Sequence, residues 1–323
     1  MDNELFGIEL PDTWVGRIDG DNPEHALWYT TVRPLPEPDE VDAGVVTLGF
    51  ASDEGNLRNH GAAGAALGPD AIRGVLGLVA VHDARPRYDA GTIRVDGDLE
   101  RGHDELSAAI ETIARAGHLP IVLGGGHEAG FASHRGIYRV LGSSPAIINL
   151  DAHLDLRAAE RPTNGTPFRQ VRELVGEEFR YSVLGVSVPN NTTFLFNAAR
   201  DFGTHVTTDD ELNAMSPQEA ADHALALARD AEHIHLTVDI DVLSEALAPG
   251  TGSPAAVGVE LGRIRAICTG LAATGRLKLV DVVEVNPRLD HNNQTARVAA
   301  RLIHEIAEAH LEATQEMCSQ ANR

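Results

Sequence analysis

The chain reads as an α/β protein whose mainly parallel sheet is covered by helices on both faces. Three observations predict it. Continuous apolar runs at 44–50, 119–123, 146–150, 181–186, 234–240 and 277–285 alternate with segments of helical spacing. The runs are apolar at nearly every position, as strands buried on both faces are. Acidic and imidazole residues gather at the carboxyl ends of several runs, where such sheets bind ligands.

The elements follow in order. Residues 1 to about 40 are polar and carry Pro34, Pro36 and Pro38, which predicts an irregular N-terminal arm on a single domain of residues 1–323. Gly44-Val45-Val46-Thr47-Leu48-Gly49-Phe50 predicts the first strand. A helix is expected over 69–78, with Pro69 in its first turn. Leu106, Ala109, Ile110 and Ile113 give 103–117 a helical period, which Gly117 closes. Strand 119–123 leads to a helix beginning near His127, strand 146–150 to a loop at 157–166, and strand 181–186 to a helix over 192–200. Ser216, Pro217 and Glu219 form a helix start with a capping box, and that helix runs to about 231. Strand 234–240, a helix at 260–273, strand 277–285 and a long helix over about 294–313 complete the chain.

With 323 residues and 43% hydrophobic content, the chain can bury a large core, but only 4% of it is aromatic. The core is therefore expected to be Ala, Val, Leu and Ile. Lys plus Arg number 26 and Asp plus Glu 48, a net charge of −22. That excess opposes nucleic acid and anionic membrane as partners, since both need a basic footprint. Cys268 and Cys318 are far apart in no ligand spacing, so a disulfide framework is not expected and a reducing cytoplasm is the natural setting. Cys268 reads as a small core residue. Met1-Asp2-Asn3-Glu4-Leu5 lacks the basic start of a signal peptide, and no run of about 18 apolar residues spans a membrane.

The chemistry concentrates in Asn149-Leu150-Asp151-Ala152-His153-Leu154-Asp155. If the preceding strand continues, alternation puts Asp151, His153 and Asp155 on one face. Such groups are not buried together without a cation to pair them. Two further strand ends repeat the pattern, Gly124-Gly125-Gly126-His127-Glu128 and Asp239-Ile240-Asp241. Each motif alone reads as a loop, turn or cap. Together, His127, Asp151, His153, Asp155, Asp239 and Asp241 offer four carboxylates and two imidazoles, more than one structural zinc uses. Mixed carboxylate and imidazole ligation suits manganese or iron, and paired ions supply a nucleophile able to cleave an unactivated C–N bond. His233 and His235 alternate on one strand face and read as packing residues.

Gly-Gly-Gly-His-Glu, Asp-Ala-His-x-Asp, Asp-x-Asp and Glu284-Val285-Asn286-Pro287 resemble the ureohydrolase superfamily of arginase and agmatinase over about residues 40–313. The resemblance implies a three-layer α/β/α fold with a mainly parallel central sheet and two Mn2+ per subunit. One ion would be held by His127, Asp151, Asp155 and Asp239, the other by Asp151, His153, Asp239 and Asp241, with Asp151 and Asp239 bridging. Asp155 would hydrogen-bond the bridging hydroxide and move its proton to the leaving nitrogen, while Glu284 would hold the cationic substrate nitrogen. A trimer or hexamer is implied as well.

The loop after Asp155 departs from arginases and agmatinases, since no histidine lies between His153 and His205. Asp155-Leu156-Arg157 and Gly165-Thr166-Pro167-Phe168-Arg169 are similar to the formimidoylglutamase branch, as are Trp14-Val15-Gly16-Arg17, Arg58-Asn59, Gly68-Pro69-Asp70-Ala71-Ile72-Arg73 and Asn190-Asn191-Thr192. That branch implies cleavage of N-formimidoyl-L-glutamate to glutamate and formamide in histidine degradation. Arg157 and Arg169 would bind the substrate's two carboxylates bidentately, with Asn190 and Asn191 as neutral donors. The alternatives are a guanidino-acid hydrolase releasing urea, a non-catalytic metal-binding relative, and more remotely a single-zinc deacetylase-like enzyme.

Overall fold

Apolar strands that must hide both faces assemble here into one ten-stranded sheet, seen in a computed structural model that describes residues 4–321. Met1, Asp2 and Asn3 of the expected arm lie outside the described residues. The strands are β1 (Glu4–Leu5), β2 (Arg33–Pro34), β3 (Val45–Ala51), β4 (Arg87–Arg94), β5 (Leu119–Gly124), β6 (Ala146–Leu150), β7 (Tyr181–Val186), β8 (His205–Thr208), β9 (Ile234–Asp239) and β10 (Leu277–Val283). Their spatial order is β1-β4-β3-β5-β10-β9-β6-β7-β8, with β2 also on β4. Every pairing is parallel except that of β1 with β4.

Alternation sorts the strand side chains into two helical layers. Ile148 and Leu150 of β6 join a cluster with Ile72, Leu76, Ile264, Ile267, Leu302 and Ile306, from helices Gly68–Leu76, Leu261–Ala272 and Gln294–Ala321. Ile147 faces the other way, toward Phe168, Val171 and Leu195. Val46, Leu48 and Phe50 of β3 pack on Leu106, Ile110 and Ile113 of helix Leu99–Arg115. This is the three-layer α/β/α architecture the sequence predicts. Cys268 is fully buried in the first cluster. Among the described residues no helix is long and apolar enough to cross a membrane.

Several expectations need correction. The arm is not irregular throughout: β1, β2 and the short helix Trp28–Thr31 form within it. The sequence reading overlooks β4 and β8 and helices Glu54–Arg58, Pro167–Val175 and Asp209–Ala214. Strand β4 carries Asp89 and Arg87 in its sequence, which hide its period. Asp89 is nevertheless buried, because the fully buried Arg73 grips it with Nε to Oδ2 at 2.8 Å and an η nitrogen to Oδ1 at 3.1 Å. Trp14 Nε1 and Thr47 Oγ1 also donate to Oδ2, at 2.9 and 2.8 Å. The helix after Ser216 spans Pro217–Leu227 and stops short of 231, while the last helix runs on to Ala321. The capping box at Ser216 and Glu219 forms as expected.

Strand β6 ends at Leu150, so Asp151, His153 and Asp155 do not alternate along a strand. They sit on a turning loop, and Asp155 adopts φ 49°, a left-handed conformation that costs a non-glycine residue about 1–2 kcal/mol. Neighbouring β5, β10, β9 and β6 place the sequence-distant motifs side by side, their ends level at the register pairs Val282 with Leu123, Val283 with Asp239, and Leu150 with Val238.

Candidate metal centre

The site grows from those four strand ends. After β5, Gly125 and Gly126 pass close to other groups: a Cβ at Gly125 would lie 2.4 Å from Ser52 O, and one at Gly126 2.0 Å from Glu128 Oε2. The turn they permit buries His127 against the edge of Phe168, ring centroids 5.2 Å apart. His127 Nε2 lies 2.9 Å from Thr237 Oγ1. Its Nδ1 is buried without a hydrogen-bond partner, yet carboxylate oxygens of Asp151, Asp155 and Asp239 stand 3.2, 3.0 and 3.2 Å away. His153 Nδ1 lies 3.0 Å from Asp241 Oδ2 and 3.5 Å from Asp151 Oδ1.

Two groups of side chains could each hold a metal ion: His127, Asp151 and Asp239, and Asp151, His153 and Asp241. Asp151 belongs to both. Asp239, also expected to bridge, turns Oδ2 toward His127, and its Oδ1 accepts the Asp241 N–H at 2.9 Å. The orphaned imidazole nitrogen among carboxylates and the mixed donor set fit paired divalent ions of the manganese type.

The electrostatics show a site short of positive charge. Burial opposes a charged His127, yet the carboxylates of Asp151, Asp155 and Asp239 hold it well above its ordinary value. His153 is likewise held up against burial by Asp241 and Asp151. Burial and then the charge of Asp151 push Asp155 up to about 6, and burial with Asp241 and Asp151 raises Asp239. A divalent ion relieves all of these conflicts together.

Supporting side chains hold the loop. Asn149 Nδ2 donates to Asp151 Oδ2 at 2.9 Å and to the Tyr181 hydroxyl at 2.9 Å, and that hydroxyl donates to Leu154 O at 3.1 Å. Asn191 Oδ1 accepts the Leu154 N–H at 3.0 Å, and its Nδ2 donates to Ala152 O and Ser187 O, both at 2.9 Å. Asn191 is thereby fully engaged in bracing the loop, not presented as a spare donor to a ligand. Glu284, at φ 65° just past β10, is buried. Its Oε1 accepts the His127 N–H at 2.9 Å and Asn164 Nδ2 at 3.0 Å, and its Oε2 accepts Asn56 Nδ2 at 2.8 Å. Burial raises its carboxyl above the ordinary value.

A narrow cleft of about 80 Å³ opens on this centre, lined by His153, Asp155, Arg157, Asn164, Asn190 and Asn191 among others. Arg157 is exposed at its wall, where its stem crosses Gly165. Arg169 is not brought there. Its Nε donates to Leu156 O at 3.0 Å, and its guanidinium lies 5.0 Å from the Phe202 ring centroid and 5.9 Å from that of Phe194. Aromatic stacking turns it away from the expected carboxylate-binding position. A larger hollow, of about 910 Å³, lies far from this chemistry beside Arg85, Pro86 and Arg87 at the amino end of β4.

Sequence reading missed Asn56, Asn149, Thr237 and the contact of Asn164 with Glu284. Thr237 was within reach, because it precedes Asp239 by two residues on the same strand and so shares its face. No local period marks Asn56.

A parallel α/β sheet with adjoining carboxylate and imidazole clusters at its carboxyl edge defines a protein built for a binuclear metal centre. The model of the arginase family matches residues 43–308, and the chain belongs to the arginase family. It is 94% identical to a formimidoylglutamase of Corynebacterium efficiens over 97% of this chain and 100% of that protein. It is 45% identical to a formimidoylglutamase of Nocardia farcinica over 92% of this chain and 96% of the relative. The crystal structure of Trypanosoma cruzi formiminoglutamase with Mn2+2 superposes with a TM-score of 0.78 at 29% identity, covering 84% of this chain and 94% of that one.

Proposed function

We propose that this chain hydrolyses N-formimidoyl-L-glutamate to L-glutamate and formamide, a step of histidine degradation, with two manganese ions per subunit. The observation that carries this reading is the pair of clusters sharing Asp151, in a chain 94% identical to a formimidoylglutamase. His127, Asp151, Asp155 and Asp239 would hold one ion, and Asp151, His153, Asp239 and Asp241 the other. When bound, the ions lower the pKa of water and so supply a nucleophile at neutral pH.

The chain's own residues do the rest. Water adds to the formimidoyl carbon, the bond from that carbon to the glutamate nitrogen breaks, and the leaving nitrogen takes a proton. Asp155, on the cleft wall, moves that proton. Glu284 accepts a hydrogen bond from the terminal formimidoyl nitrogen and stabilises its positive charge. Arg157 pairs with a substrate carboxylate, and Asn190, also on the wall, adds a neutral donor. Arg169 and Asn191 act indirectly, by fixing the loop that carries these groups. We further propose a cytoplasmic homo-oligomer, trimeric or hexameric, working as one domain per chain. The family resemblance supports the oligomer, the sparse unpaired cysteines support the reducing compartment, and sedimentation velocity of the purified protein gives the subunit number.

The test is product analysis after manganese loading, with N-formimidoyl-L-glutamate and a panel of guanidino compounds in parallel. Glutamate and formamide in equal amounts, with no urea from the panel, are expected. Urea from a guanidino acid, with no formamide, would overturn the substrate assignment.

A further inference from the structure

The reading above leaves open why the site takes an amidine and not a guanidine, since both bring a cationic carbon–nitrogen group to the same glutamate. Glu284 supplies the discriminating feature. A carboxylate offers about two acceptor positions on each oxygen. On Oε1 both are filled, by the His127 N–H at 2.9 Å and by Asn164 Nδ2 at 3.0 Å. On Oε2 one is filled, by Asn56 Nδ2 at 2.8 Å. One acceptor position remains, on Oε2.

A guanidinium approaches a carboxylate as a fork, with parallel N–H donors that need room on both oxygens. A formimidoyl group carries a single terminal nitrogen and a C–H where the guanidine has its second amino group. On the side where a guanidinium presents its two-nitrogen fork, it offers one N–H and the C–H, and so needs one acceptor there. A guanidinium in the same place would bury an N–H against a filled oxygen, and an unpaired buried donor is costly.

Asn164 is the adjustable member of this set. The His127 N–H is backbone, and Asn56 is buried in the short helix Glu54–Arg58. Asn164 instead lines the cleft while its Nδ2 bonds Glu284 Oε1. Its amide cannot simply turn over, because Asn59 Nδ2 donates to its Oδ1 at 2.8 Å and fixes which end faces Glu284. We propose that Asn164 is a positioning residue that makes the site selective for an amidine over a forked guanidinium, by occupying an acceptor position on Glu284 Oε1. The inference rests on the role given to Glu284 above.

The experiment compares kcat/KM of the manganese-loaded full chain on N-formimidoyl-L-glutamate and on N-carbamimidoyl-L-glutamate, the guanidine with the same glutamate part. Asn164→Ala should lower the amidine-to-guanidine ratio about tenfold or more, the size expected of one charged hydrogen bond gained. Asn59→Ala, which releases the Asn164 amide to rotate, should shift the ratio in the same direction by less. Equal losses on both substrates, leaving the ratio unchanged, would mean that Asn164 merely scaffolds its loop, and would overturn the inference. Should Asn164→Ala not fold, the ratio in Asn59→Ala decides in the same way. A wild-type protein that prefers the guanidine overturns the functional reading and the inference with it. A wild-type preference for the amidine that neither variant weakens overturns the inference alone.

Discussion

Thr237 Oγ1 stands 2.9 Å from His127 Nε2, on the side of the ring away from the carboxylates. With Nε2 donating to that hydroxyl, the Nδ1 lone pair is left pointing at Asp151, Asp155 and Asp239. One hydroxyl thus sets both the tautomer and the orientation of the imidazole. Removing such an outer partner usually weakens metal binding about 10–100-fold. Thr237→Val should therefore lower manganese affinity by that factor with the fold intact, as read by calorimetric titration of the metal-free protein. Unchanged affinity would show that packing against Phe168 suffices to hold the ring.

The two arginines Arg157 and Arg169 separate by what they touch. Arg157 is exposed at the cleft wall, whereas Arg169 is stacked on Phe202 and bonded to Leu156 O. Arg157→Ala should raise KM for N-formimidoyl-L-glutamate about tenfold to a hundredfold with little change in kcat, as loss of uniform binding to a charged group does. Arg169→Ala should loosen the loop and lower kcat and thermal stability together. Steady-state kinetics with a melting curve for each variant distinguishes the two patterns, and identical patterns would refute the division.

The bidentate pair of Arg73 and Asp89 lies wholly inside the protein, between helix Gly68–Leu76 and β4. A buried pair need not stabilise relative to apolar residues, but losing one partner leaves a bare charge in the core. Arg73→Ala should cost about 3–5 kcal/mol. The midpoint of urea unfolding measures it, and activity per folded molecule should stay at the wild-type level because the pair is remote from the cleft.

That pair also explains what the sequence did and did not reveal. The central strands around the site were legible because Ile147-Ile148, Ile121-Val122-Leu123 and Val280-Asp281-Val282-Val283 are nearly unbroken apolar runs. Strand β4 was not, since Asp89 looks like a loop residue until its partner, sixteen positions earlier, is known. The six acidic and imidazole residues of the centre were legible as motifs, although a turning loop and not strand alternation brings three of them together. The donors to Glu284 were hidden for a different reason. Asn56 and Asn164 are 228 and 120 residues from it in sequence, and only the order β5-β10-β9-β6 and the loops above it unite them. Arg169 shows the converse: the motif put it in the loop, whereas it stands in the first turn of helix Pro167–Val175, and Phe194 and Phe202, from another helix and its end, decide where its guanidinium goes.

His103 offers a test of acid stability away from the metal centre. It is buried on helix Leu99–Arg115, with ring centroids 6.3 Å from Phe50 and 5.6 Å from Phe131. Burial, and then the charge of Arg135 with a smaller push from Arg58, lower it from 6.5 to about 4, against an opposing pull from Glu100. Above pH 6.5 the imidazole is neutral in both native and unfolded chains, and it contributes no pH dependence. As the pH falls from 6.5 toward 4, the unfolded chain takes up a proton that the native one refuses, so stability is lost across that window. The loss approaches about 1.4 kcal/mol per pH unit well inside it. His103→Phe keeps an aromatic ring between Phe50 and Phe131 and removes the titration. Urea unfolding of the two proteins at pH 8, 7, 6 and 5 isolates the effect, because every other titrating group is common to both and cancels in the difference. That difference should be constant from pH 8 to 7 and move steadily in favour of His103→Phe below about pH 6.5. Parallel curves down to pH 5 would show that the native protein protonates His103 as readily as the unfolded chain does.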